Sequence, residues 1–138
     1  NGHGGNEGAL TRAARRLRAE GTAFLAPWHW WDATNVVVGH ADQHETSVVL
    51  HLREELVDAG RLAEAEADGA ASWGKRVHGA SVGFDTADFT DSGAVGHPSE
   101  ASAQLGRDLV EEGVEELDAL VDWLAARPFD DLRPEPHR

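Results

Sequence analysis

The chain has no cysteine, which excludes disulfides, thiolate metal sites and a cysteine nucleophile within it. Any metal it binds must rest on His, Asp and Glu. It also has no methionine. Asn1 opens directly into a glycine-rich run, which reads as a segment cut from a longer chain. Lys75 is the only lysine, and 25 acidic against 12 basic residues give a formal net charge of -13. Such a surface repels nucleic acid and anionic lipid, because phosphates are bound by clustered Lys and Arg. No run of about 18 apolar residues is present, so no membrane span is expected, and the N-terminus carries no signal-like apolar stretch. Acidity with arginine in place of lysine predicts a cytoplasmic protein of a salt-adapted, halophilic organism. At about 1 M salt the Debye length is only about 3 Å, and the self-repulsion of the carboxylates is screened.

Apolar residues make up 41% of the sequence, enough for a packed core, and 138 residues suggest one domain. Residues 9–19, ALTRAARRLRA, predict a helix with Leu10, Ala13, Ala14 and Leu17 on one face, ended by Gly21. TAFLA at 22–26 and VVV at 36–38 predict short strands, separated by the aromatic loop WHWWDATN at 28–35. Residues 42–59 predict an amphipathic helix carrying Val48, Val49, Leu52 and Leu56, with another helical turn or two over 61–68. Residues 69–97 are rich in Gly, Ser and Asp and predict a long loop with short strands; such loops usually carry a function or dock on a partner. Residues 98–127 give the longest helical pattern, with Leu105, Leu109, Val114, Leu117, Val121 and Leu124 as its apolar stripe, Pro98 at its start and Pro128 at its end. Residues 128–138 read as a frayed tail. Strand–helix alternation predicts an α/β layer structure with a parallel sheet, but two strands are too few for one. Part of the domain is expected to lie elsewhere.

Two segments carry candidate chemistry. In NGHGGN, residues 1–6, the glycines let backbone approach a ligand around a single projecting His3. That histidine suits a metal ligand; the loop equally suits a phosphate-cradling nest before a helix, or a flexible terminus. Asn6 is placed to orient a partner or to cap the helix. In HADQHETS, residues 40–47, Glu45 falls toward the apolar face of its helix, where a carboxylate is costly unless paired, hydrogen-bonded or metal-bound. Asp42-x-x-Glu45 also fits a capping box with Asp42 as N-cap, and His40 with His44, four apart, fits a metal pair. His51 reads as a solvated or satisfied histidine, and Trp28–Trp31 as packing at an interface. His78, His97 and His137 are scattered and suggest no role alone.

Together these pieces resemble the creatininase (creatinine amidohydrolase) family. NGHGGN before a helix is similar to the loop after a central strand of that family. HADQHETS followed by VVLHLREELV is similar to its His-Ala-x-x-x-Glu-Thr-Ser segment and helix. GHPSEASAQLG at 96–106 resembles its Gly-Asp-Pro-x-x-Ala-x-Ala-x-x-Gly stretch. The resemblance implies a three-layer α/β/α fold with a mainly parallel sheet, of which residues 1–138 are the C-terminal half of a single domain. It implies two divalent metals (Zn, Mn or Fe) and hydrolysis of a C–N amide bond by metal-activated water, in a small cyclic amide, a formamide or a peptide amide. By the same resemblance His3 is a metal ligand and Glu45 a metal ligand or charge partner. His40 shuttles a proton to the leaving nitrogen, and Gly4, Gly5 and Asn6 meet the substrate. A homo-oligomer is implied too, with the 69–97 loop and Trp28–Trp31 near subunit contacts.

Departures from the pattern narrow these expectations. Gly4 and Gly5 replace bulkier, acidic residues, Val37-Val38 stand where Trp-Asp is expected, and His97 stands for the Asp of Gly-Asp-Pro. Creatinine is therefore not the expected substrate; the glycine loop looks like that of the family's formamide hydrolases and peptidases. His3 and Glu45 alone cannot hold two metals, so the fragment by itself is expected to be inactive. The competing reading is a truncated, non-catalytic paralogue serving as a structural subunit or small-molecule binder.

Overall fold

A computed structural model of the protein describes residues 1–132. Its helices are α1 (Glu7–Glu20), α2 (Trp30–Ala33), α3 (Gln43–Arg53), α4 (Leu62–Ala67) and α5 (Ala103–Ala125), with strands β1 (Lys75–Val77) and β2 (Ala80–Gly83) between α4 and α5. Short 3-10 turns occur at Gly4–Asn6, Glu54–Leu56, Ala59–Arg61, Thr86–Asp88, Pro98–Glu100 and Phe129–Leu132. The chain divides into two compact units, one of residues 1–35 with 112–138 and one of residues 36–111. Among the described residues no helix is long and apolar enough to cross a membrane.

In the first unit, α1 forms where the apolar spacing places it. Gly21 stops it at φ 65°, with Gly21 N donating to Arg18 O and Thr22 N to Leu17 O, the paired bonds of a Schellman ending. Residues 22–26 and 36–38, expected as strands, are neither in strand nor in helix. A strand exists only through its ladder, and nothing among the described residues pairs with either run; Val37 stands 92% exposed. The tail departs from expectation as well. Residues 129–132 close a 3-10 turn, while 133–138, including His137, lie outside the described residues.

The second unit holds the buried centre: Ala94, Val95 and Leu109 with the polar Asp42 and Ser47 and with Pro98. Val95 is its hub. His40 N donates to Val95 O at 3.0 Å and Val95 N to His40 O at 2.7 Å, an antiparallel bridge, while Ala70 bridges Val95 in parallel. These two isolated bridges, with the two-stranded antiparallel pair β1–β2, are all the sheet among the described residues. The expected parallel sheet has only these traces here. The β1–β2 turn is made by His78 and Gly79, both at positive φ, which suits the right-handed twist of a two-residue hairpin.

Helix α3 stops at Arg53 and does not run to 59. Val57 is extended, and Asp58 turns its carboxylate onto Gly60 N, while Leu52 and Leu56 stay more than half exposed. Helix α5 starts at 103, not 98. Pro98 opens a separate turn, Ala101 is extended, and Ser102 Oγ accepts from Leu105 N at 3.1 Å, as an N-cap does. Helices α3 and α5 meet at Gly106, where a Cβ would fall 1.9 Å from Ser47 O and 2.9 Å from His51 Cβ. Only glycine fits there, and Ser47 Oγ accepts from Ser102 N at 2.9 Å alongside.

Candidate active site

The HADQHETS segment is the most constrained stretch of the second unit. Gly39 lies against Val95, where a Cβ would fall 1.8 Å from Val95 O, so the chain enters His40 fixed to the core. Ala41 then takes φ 45°, a left-handed conformation costing a non-glycine residue roughly 1–2 kcal/mol. Two bonds and a cap hold it there: Ala41 N donates to Glu45 Oε2 at 2.6 Å, Thr46 Oγ1 donates to Ala41 O at 3.3 Å, and the next residue, Asp42, caps α3. Strain persisting in an over-determined segment between two ionisable residues is the pattern of a functional loop.

The capping box expected from Asp42-x-x-Glu45 forms in altered form. Asp42 accepts from His44 N and Glu45 N, but Glu45 reaches back to Ala41 N, one residue further than a standard box. The same Glu45 Oε2 lies 3.8 Å from His40 Nδ1, with the two side chains 28% and 40% exposed. That is beyond hydrogen-bond range but close enough for a charge contact once His40 is protonated. The His40 ring stands edge-on to Trp73, 6.2 Å between centroids. His44, which looked like a metal partner of His40, is instead tied to Asp42, Nδ1 to Oδ2 at 3.0 Å.

The NGHGGN loop belongs to the first unit. His3 is exposed, and its ring lies over Gly5: a Cβ at Gly5 would be 2.7 Å from His3 Nε2, while Gly4 has nothing within 4 Å of such a position. Asn6 makes no side-chain cap bond. Its amide donates to Asn1 Oδ1 at 3.1 Å, and Asn1 Nδ2 donates to His3 O at 2.9 Å, so the two asparagines brace the turn that carries His3. Asn1 Nδ2 also meets His29 Nδ1 at 2.8 Å, and His29 stacks on Trp31. This ties the aromatic segment to the loop.

A third cluster was not foreseen. Glu66 on α4 accepts from Ser99 N at 3.1 Å and from Ser99 Oγ, and pairs with His97 Nδ1 at 3.1 Å; His97 N donates to Gln43 Oε1 at 3.1 Å. The Ser99 hydroxyl, then His97, hold the Glu66 carboxyl below its ordinary range, and the bond and charge of Glu66 raise His97. Here the Ser99 hydroxyl donates a hydrogen bond to the Glu66 carboxylate. The cluster clamps the Pro98 turn to α4 and α3.

As donors for a metal, these residues come in pairs: His40 with Glu45, His44 with Asp42, His97 with Glu66. Among the described residues no group of three or more His, Cys, Asp or Glu is placed to hold an ion. A structural metal takes about four ligands and a catalytic one about three.

The creatininase family model, described as creatinine amidohydrolase, matches residues 1–121. The chain belongs to the creatininase family. A "mycofactocin precursor peptide peptidase" of Mycobacterium ulcerans (strain Agy99) is 36% identical over 118 residues, which is 84% of this chain and 44% of that protein. The protein of the same description in Mycobacterium tuberculosis (strain H37Rv) is 52% identical over 54 residues, 38% of this chain and 20% of that one. A Bacteroides fragilis crystal structure, assigned as a creatinine amidohydrolase, superposes with a TM-score of 0.62 at 25% identity over 96% of this chain and 53% of its own. This chain therefore has a creatininase-like α/β fold, and it spans less than half the length of the curated relatives it matches.

Proposed function

We propose that the protein is a metal-dependent hydrolase of a C–N amide bond, with a peptide amide as substrate. In this reading residues 1–138 are the C-terminal half of one creatininase-like domain. By the family resemblance, His3 and Glu45 are candidate metal ligands and His40 is the candidate proton donor. The carrying observation is the juxtaposition of His40 and Glu45 across the strained Ala41, in a chain of the creatininase family. The peptide substrate rests on the relatives described as peptidases.

A bound divalent metal, Zn, Mn or Fe, would polarise the amide carbonyl and activate water. The protein's own part is to place groups around it. Glu45 keeps Oε2 on Ala41 N and offers Oε1 as ligand or counter-charge. His40, held at its backbone by Val95, donates a proton to the departing nitrogen. Gly4 leaves room for substrate beside His3, Gly5 leaves room for the His3 ring itself, and Asn6 braces the loop. We place the protein in the cytoplasm of a salt-adapted organism, as a homo-oligomer, on its charge and family.

Elemental analysis of the complete protein tests the ligand assignment. Near-stoichiometric Zn, Mn or Fe, lost in Glu45→Gln and His3→Ala, is expected. Full metal retention in both variants refutes the roles of these residues. Absence of metal from the wild type favours the non-catalytic paralogue.

A further inference from the structure

Asp42 does more than cap a helix. It is 1% exposed and takes four donors: Gly39 N at 2.8 Å and His44 Nδ1 at 3.0 Å on Oδ2, His44 N at 2.9 Å and Glu45 N at 3.0 Å on Oδ1. An ionised carboxylate offers about four lone-pair directions, and all are used. Nothing is left for it to donate, so the proton between Asp42 and His44 must sit on Nδ1. A lone pair on Nδ1 would face a carboxylate oxygen. The Nε2 of the neutral ring then carries its lone pair outward, on a side chain 16% exposed.

We propose that Asp42 is a positioning residue that fixes His44 in the Nδ1–H tautomer, which leaves the lone pair of the neutral ring on His44 Nε2. A buried carboxylate that orients an imidazole through its second nitrogen is a recurring way to fix which nitrogen is basic. The same carboxylate anchors the backbone before His40, through Gly39 N, and the backbone of Glu45. It therefore registers all three side chains to one another. The functional meaning of His44 rests on the hydrolase reading above, but its tautomer does not.

Long-range proton–nitrogen NMR of the imidazoles, in the complete protein at about pH 8.5 where histidine is neutral, reads the tautomer without any assay of activity. His44 is assigned by its loss in His44→Gln. The expected wild-type pattern is a protonated Nδ1 and an unprotonated, pyridine-type Nε2. In Asp42→Asn the side-chain amide cannot accept at both positions, and the pattern should swap to Nε2–H. Asp42→Ser, which still caps α3 but is too short to reach the ring, should swap it too. A wild-type His44 protonated at Nε2 overturns the proposal, as does a folded Asp42→Asn with unchanged tautomer. If both variants fail to fold, the wild-type spectrum still decides. Where hydrolysis is measured, Asp42→Asn should lower kcat about 10–100-fold. An Nδ1–H tautomer in a protein without hydrolytic activity would leave this assignment standing and remove the functional reading alone.

Discussion

Gly106 and Gly113 lie in the same helix, α5, and the account assigns them opposite responses to the same substitution. Glycine to alanine in a helix ordinarily stabilises by roughly 0.5–1 kcal/mol, because alanine loses less backbone entropy on folding. At Gly113 the new methyl would meet only Thr34 Cγ2 and Trp28 Cη2, both at 3.9 Å, which is ordinary contact. Gly113→Ala should therefore show that gain. At Gly106 the methyl would fall 1.9 Å from Ser47 O, so the backbones of α3 and α5 must move apart. Overpacking of this kind costs about 1–3 kcal/mol. Separation also threatens the buried bond from Ser102 N to Ser47 Oγ, worth about 1 kcal/mol more. After the helix-propensity gain is subtracted, Gly106→Ala should destabilise by about 1–3.5 kcal/mol. Urea unfolding of the complete protein at one fixed salt concentration reads both, with a lowered midpoint for Gly106→Ala and a raised one for Gly113→Ala. A Gly106→Ala midpoint equal to or above wild type would refute the α3–α5 contact and the registration of HADQHETS that depends on it.

Two further outcomes follow from charge. The raised His97 contributes stability that is full below its ordinary value of 6.5 and lost as pH rises through its folded value. The lowered Glu66 contributes above its ordinary 4.5 and loses that as pH falls through its folded value. The clamp on the Pro98 turn should thus be strongest between about pH 4.5 and 6.5. Thermal melts of wild type and His97→Ala should differ more at about pH 5.5 than at about pH 8.5; an equal or larger gap at the higher pH contradicts it. Separately, the net charge of -13 predicts a melting temperature that rises from about 0.1 to 2 M KCl as repulsion is screened. A flat or falling profile refutes salt adaptation.

Elements governed by local physics were legible in the sequence. The apolar face and Gly21 gave α1, the Asp42 cap gave the start of α3, and the Gly- and Asp-rich stretch contains the β1–β2 hairpin. The runs at 22–26 and 36–38 misled because β propensity states only what a residue does once a neighbouring strand exists. The α5 pattern was read too far toward its N-terminus, since Pro98 suits the first turn of either helix type and Ser102 was not recognised as the true cap. In the site, the role of Asp42 as N-cap followed from its spacing to Glu45. The second acceptor role of Asp42 toward His44 did not, because one side chain serves both helix backbone and ring. The pairing of Glu66 with His97, 31 residues apart, had no local signal at all. The nearest hint was a histidine standing where the family pattern has an aspartate.

The central claim is that His3, His40 and Glu45 serve a metal-dependent amide hydrolase. The direct measurement is hydrolysis of unstructured peptide amides by the complete protein in high salt, before and after chelation and metal return. The account predicts cleavage that chelator abolishes, that Zn, Mn or Fe restores, and that Glu45→Gln lowers by at least about a hundredfold. Cleavage that persists at full rate in chelator, or in Glu45→Gln, would contradict it.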